Sequence, residues 1–152
     1  MEGPTLVPYK KVKFMDAAPT HNKSFAGCLQ PLAGVDGNTI CANNKWVAIP
    51  WKVAGGALMV SGAYDFKDFN KNRSLPAILG HTGAVQDCSF APFNDDVLGT
   101  ASADGTVKVW KMPANGLEQD MKESEYTMVG HEKKVTLLKW NPVADQTLAS
   151  TS

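Results

Sequence analysis

At 152 residues, 43% of them hydrophobic and 20% charged, the chain has the size and apolar content of one ordinary domain with a buried core. Fifteen Lys+Arg balance fifteen Asp+Glu, so the chain as a whole has no electrostatic bias toward nucleic acid or an anionic membrane. No apolar run approaches a membrane span, and the opening MEGPTLVPYKK carries Glu2 and two prolines where a secretory signal needs an apolar stretch.

The first 23 residues show little periodicity. Lys10 to Met15 alternates basic and apolar residues, which fits a solvated arm or a short edge strand whose lysines discourage unwanted pairing. Ser24–Leu29, Thr39–Ala42, Val47–Trp51 and Ala57–Ser61 are candidate strands of a first blade region spanning residues 24–79. Asp36-Gly37-Asn38, Asn43-Asn44 and Gly55-Gly56 supply turn chemistry between them. Pro50 has no N–H to give a ladder, so its strand is expected to be irregular or at an edge there. Residues 62–75 read as a polar connection that Tyr64, Phe66 and Phe69 can pack down. Cys28, Cys41 and Cys88 are an odd number without metal-type spacing, as expected of free thiols in a reducing compartment.

The clearest organisation lies in residues 80–129. Three β-rich runs, Val85–Phe90, Val97–Ala101 and Thr106–Trp110, are separated by turn residues. Gly80-His81 ahead of them and Trp110 at the end of the third are the marks of one propeller blade. An extended loop over 113–125 precedes a fourth strand. The pattern then repeats: His81 and His131 stand 50 positions apart, and the same offset pairs Gly80 with Gly130, Val85 with Val135, Phe90 with Trp140, Pro92 with Pro142 and Leu98 with Leu148. The repeat also pairs Ser102 with Ser152, and residues 130–152 read as a third blade cut after its second strand. Blades bury their faces on neighbours and close into a ring. About two and a half blades do not close one, so the expectation is an all-β, partial WD40 β-propeller, the N-terminal part of a longer protein.

In WD-repeat blades a His, a Ser or Thr, an Asp and a Trp form a hydrogen-bonded chain. The matching residues here are His81, Ser102 (or Thr100, two residues earlier on the same face), Asp104 and Trp110. These are read as structural. His81 has no nucleophile or substrate proton in evident reach, and Asp87, Asp95, Asp96 and Asp104 are assigned to turn or strand-start positions. No nucleophile elbow, phosphate loop or metal-ligand cluster is present in the sequence, so no catalytic or metal site and no cofactor is assigned.

Three places are similar to the coronin family. Cys41-Ala42, Lys45-Trp46-Val47-Ala48 and Gly55-Gly56-Ala57 resemble its first blade. Gly80 to Asp87, Pro92, Asn94-Asp95 and Ser102 to Trp110 resemble its second. Met112-Pro113-Ala114-Asn115-Gly116-Leu117 resembles the segment after that blade's Trp and is the most specific, since a generic WD-repeat does not need it. The resemblance covers roughly residues 25–152. It implies a seven-bladed ring in the intact protein, followed by a linker and a C-terminal coiled coil for oligomerisation that this chain lacks. It also implies a cytoplasmic regulator of the actin cytoskeleton that binds actin filaments, with cofilin and the branching Arp complex as further partners, and neither nucleic acid nor an integral membrane position. Lys133 and Lys134 match the family's basic pair after the third blade's Gly-His and are candidate actin contacts, with Lys10 and Lys11 as a second basic cluster. Gln30 stands where many members carry an exposed arginine. The alternative is a WD-repeat scaffold or adaptor unrelated to actin.

Overall fold

The computed structural model describes residues 37–51, 55–63 and 76–152. The N-terminal arm with Lys10, Lys11 and Lys13, the candidate strand Ser24–Leu29, Cys28, Gln30 and residues 64–75 of the connection lie outside the described residues. Among the described residues there are only strands, turns and irregular segments. They form antiparallel sheets laid out as successive blades of a partial propeller.

The first sheet has the order β1 (Cys41–Ala42), β2 (Trp46–Pro50), β3 (Leu58–Gly62), β4 (Ala77–Ile78). Asn43 makes the first turn: its Oδ1 accepts from the N–H groups of Lys45 and Trp46, both at 2.8 Å. The short Asn/Asp-type side chain here replaces the backbone partner that a tight turn cannot offer. Pro50 does not lie at an edge, because β2 is an inner strand. It is tolerated because it ends β2 opposite Leu58, while Trp51 N donates to Ala57 O at 2.8 Å. In the alternating antiparallel pattern the Pro50 nitrogen therefore points away from β3, and β1 pairs only with Val47 and Ala48.

The second sheet has the order β5 (Val85–Phe90), β6 (Val97–Ser102), β7 (Thr106–Lys111), β8 (Tyr126–Val129). β5 shifts register between Val85 and Asp87, a bulge that turns Asp87 into the interior. The sequence reading put Asp87 at a strand start; it is the third residue of β5 and fully buried. A third pair joins β9 (Leu137–Trp140) to β10 (Leu148–Thr151).

Two of the apolar clusters among the described residues lie between sheets, while Val47, Ile49 and Met59 form a third on the first sheet alone. Trp46, Leu58 and Ile78 of the first sheet pack with Cys88, Leu98 and Trp110 of the second. Ala101 and Val107 of the second pack with Val135 and Leu138 on the third-sheet side. Leu58 and Leu98 are fully buried, each contributing about 1.5–3 kcal/mol relative to exposure. A blade cannot bury its own faces, so this inter-sheet arrangement is what a period-2 pattern with near-continuous apolar middle strands demands.

The loop after β7 is a strap. Met112 is buried, and its N–H donates to Asp96 O at 2.7 Å. Gly116 adopts φ 87°, a left-handed conformation that favours glycine, where an added Cβ would stand 3.7 Å from the Trp46 ring. The chain then returns to the first sheet. Met121 N donates to Ala77 O at 2.9 Å, Leu79 N donates to Met121 O at 2.8 Å, and Asp120 Oδ1 accepts from Ala77 N at 3.0 Å. Met121 thereby pairs in parallel beside Ile78 on the outer edge of the first sheet.

Candidate functional site: the blade network and its rim

The His-Asp-Trp motif of the second sheet is a linear chain of hydrogen bonds. Trp110 Nε1 donates to Thr100 Oγ1 at 2.9 Å. Thr100 Oγ1 lies 2.7 Å from His81 Nε2, and His81 Nδ1 lies 3.0 Å from Asp104 Oδ2. An indole N–H can only donate and a carboxylate can only accept. One assignment then satisfies every link: Trp110 donates to Thr100, the Thr100 hydroxyl donates to His81 Nε2, and His81 Nδ1–H donates to Asp104. The His81 ring also meets Trp110 edge-on, with centroids 6.2 Å apart.

Thr100, not Ser102, joins the histidine to the tryptophan. Ser102 braces the neighbouring turn instead: its Oγ donates to Gly83 O at 2.9 Å and accepts from Asp104 N at 3.2 Å. The third sheet repeats the arrangement. Thr100 shifted by 50 positions is Ser150, whose Oγ lies 2.8 Å from His131 Nε2.

The electrostatics match a neutral His and an ionised Asp. Burial holds His81 below its ordinary 6.5, although Asp104 pulls the other way. Burial alone would raise Asp104, but the hydroxyl and N–H of Thr106, the N–H of Thr82 and His81 together hold it well below the usual carboxylate range. The Thr106 hydroxyl is 2.7 Å from Asp104 Oδ1, and the N–H groups of Thr82 and Thr106 are each 3.0 Å from the carboxylate. Gly80 is required by close approach: a Cβ there would fall 2.3 Å from the Trp110 ring. The Gly-His pair therefore lets the backbone pass over the indole so that His81 can reach Thr100.

The network fixes a turn, and the turn supports a rim. The Asp104-Gly105 turn lies against the backbone of His131 and Lys133. Lys133 and Lys134 are exposed beside it. The neutral, fully engaged His81 is a brace with its ring nitrogens committed. Among the described residues no cluster of three or more His, Cys, Asp or Glu could hold a metal ion, and no helix is long and apolar enough to cross a membrane.

Two further inter-sheet ties escaped the sequence reading. Asp96 accepts from Trp46 Nε1 at 2.9 Å and pairs with Lys45 Nζ at 3.0 Å, linking the first and second sheets. Asp87 Oδ1 accepts from Asn38 N at 3.1 Å, Asn38 Nδ2 at 2.9 Å and Cys88 N at 2.9 Å, while its Oδ2 accepts from Leu138 N at 2.9 Å.

These features define a segment of a WD40-repeat β-propeller. The family "WD domain, G-beta repeat" matches residues 72–111, and "Domain of unknown function (DUF1899)" matches residues 13–65. The chain belongs to the coronin family. It is 32% identical over 119 residues to coronin-2A of Bos taurus, covering 77% of this chain and 22% of that protein. It is 30% identical over 128 residues to the coronin-like protein of Saccharomyces cerevisiae, covering 77% of this chain and 19% of the relative. The WD40 domain of Toxoplasma gondii coronin superposes with a TM-score of 0.77 at 31% identity, over 86% of this chain and 33% of that one. The chain thus spans about a fifth of the length of these two curated relatives.

Proposed function

We propose that this chain is part of a cytoplasmic actin-filament-binding propeller that works through protein–protein contacts rather than catalysis. Its membership of the coronin family carries the reading. The exposed Lys133 and Lys134, held beside the braced Asp104-Gly105 turn, supply the local chemistry. Actin filaments are acidic, and a cationic rim steers association with an acidic partner in a salt-sensitive way. Lys10 and Lys11 form a second basic cluster in the same role. Cofilin, the branching Arp complex and coiled-coil oligomerisation rest on the family resemblance alone.

Co-sedimentation with actin filaments tests the reading. The chain should pellet with filaments at low salt, pellet less as salt rises, and lose affinity several-fold in the Lys133→Ala/Lys134→Ala double variant. Absence from the pellet at every salt concentration would favour a scaffold unrelated to actin.

A further inference from the structure

Cys41 and Cys88 share one core cluster at the junction of two sheets. Cys41 lies on β1 and Cys88 on β5. Both belong to the core cluster that joins the first sheet to the second, Cys88 buried within it and Cys41 half-buried at its border. The segment leading into β1 is anchored on β5 at the same place. Asn38 bonds Asp87 through its N–H and its side-chain amide, and Cys88 Sγ lies 3.9 Å from Asn38 O. β1 is only Cys41–Ala42 and packs directly against β5, so the two thiols share one patch of the inter-sheet core.

We propose that Cys41 and Cys88 form a redox-reversible disulfide that bolts the first sheet to the second. The oxidant is a hydroperoxide. Cys41, the more accessible thiol, attacks the peroxide oxygen as thiolate, the O–O bond breaks, and the alcohol or water leaves, giving a sulfenic acid. The Cys88 sulfur then attacks the Cys41 sulfur. The S–S bond forms, the S–OH bond breaks, and hydroxide leaves with the Cys88 proton as water. The net change is two thiols and one hydroperoxide to one disulfide, one alcohol (water when the oxidant is hydrogen peroxide) and one water. A small thiol reverses it by exchange.

The two cysteines divide the labour by environment. The neighbouring Cys41 thiol, burial and Asp87 together keep Cys88 protonated well above the ordinary thiol range, so it is a poor first target. Proximity lets it serve as the resolving partner once Cys41 is oxidised. In a reducing compartment such a bond is transient and redox-sensing rather than structural. It would close a loop over the 46 residues between the two positions and raise resistance to unfolding by restricting the unfolded chain.

The test is oxidation of the folded chain with stoichiometric hydrogen peroxide, followed by blocking of thiols and non-reducing peptide mapping by mass spectrometry. The expected product is an intramolecular Cys41–Cys88 linkage, removed by dithiothreitol, formed equally in a Cys28→Ser variant, and accompanied by a higher urea midpoint than the reduced chain. Oxidation that stops at sulfinic acid on Cys41, or a linkage through Cys28 in preference to Cys88, would overturn the proposal. The wild-type chain carries the primary readout, so it does not depend on whether a Cys88 variant folds.

Discussion

The buried carboxylate of Asp87 in the second sheet accepts a hydrogen bond at 2.9 Å from the backbone N–H of Leu138 in the third. Its other oxygen is taken by Asn38 and Cys88. One side chain therefore ties together the segment before β1, the bulged β5 and the start of β9. Asp87→Asn can keep the three bonds to Oδ1 but sets an NH2 group against Leu138 N–H. The expected cost is about 1–3 kcal/mol for the donor left unsatisfied, read as a lower urea midpoint. Hydrogen exchange at the Leu138 amide should accelerate more than at amides inside β6. Equal acceleration in both places would mean that the carboxylate does not act as a local tie.

Thr100 and Ser102 are two residues apart on one strand and should respond differently to losing their hydroxyls. Thr100→Val is nearly isosteric but strands both Trp110 Nε1 and His81 Nε2 in the interior. A loss of about 2–4 kcal/mol is expected from two buried unsatisfied groups. Ser102→Ala removes a brace from the turn and should cost about 1 kcal/mol. Thr100→Ser should restore most of the stability, since Ser150 makes the same bond to His131 at 2.8 Å. Chemical denaturation of the four chains decides the order.

Stability should fall with acid in two windows. His81 has a folded pKa below its ordinary 6.5, so the unfolded chain binds its proton first. Its contribution is complete above about pH 6.5 and is lost as pH falls below that, with a slope of at most about 1.4 kcal/mol per pH unit. Asp104 is likewise held below its ordinary 3.8, so its contribution is complete above that value and lost below it. Thermal melts between pH 8 and pH 4 should show the first loss, and it should disappear from the His81→Gln variant. A wild-type profile flat across that range would contradict a buried neutral His81.

Gly80→Ala should be more damaging than its one added methyl suggests. The new Cβ would fall 2.3 Å from the Trp110 ring and 2.7 Å from Lys122 O, and neither a packed indole nor a backbone carbonyl can give way cheaply. Overpacking of this kind costs about 1–3 kcal/mol. Indole fluorescence should shift as Trp110 is displaced, and the melting temperature should drop. Gly130→Ala is the control, because nothing lies within 4 Å of a Cβ at that position.

The strands and the repeat were legible because both are carried by local pattern. β5, β6 and β7 are runs of β-formers between turn residues, and each expected boundary lies within one residue of the observed one. β4 was not legible: Ala77–Ile78 is two residues long and exists as a strand through its pairing with β3 and the strap. Choosing Ser102 over Thr100 reflects a similar limit. Both residues point to one face, and which hydroxyl meets the histidine is set by where the segment ahead of β5 carries His81, a contact between residues 19 positions apart. Asp96 and Asp87 read as turn and strand-start acids, because the partners that explain them, Trp46, Asn38 and Leu138, lie about 50 residues away. The coronin-like stretch Met112 to Leu117 was visible as a motif. That it returns to the preceding sheet follows from tertiary packing alone.

That strap sets an order of events on the ribosome. The outer neighbour of Ile78 is Met121, a residue made 43 positions later. At roughly 5–20 residues per second, the first sheet leaves the ribosome with its outer edge open for about 2–9 s. During that interval Ala77–Ile78 offers unpaired backbone groups to any passing strand. The first blade is thus finished only after the second has been translated through its third strand and the loop beyond, so the youngest part of the emerging chain protects an older one.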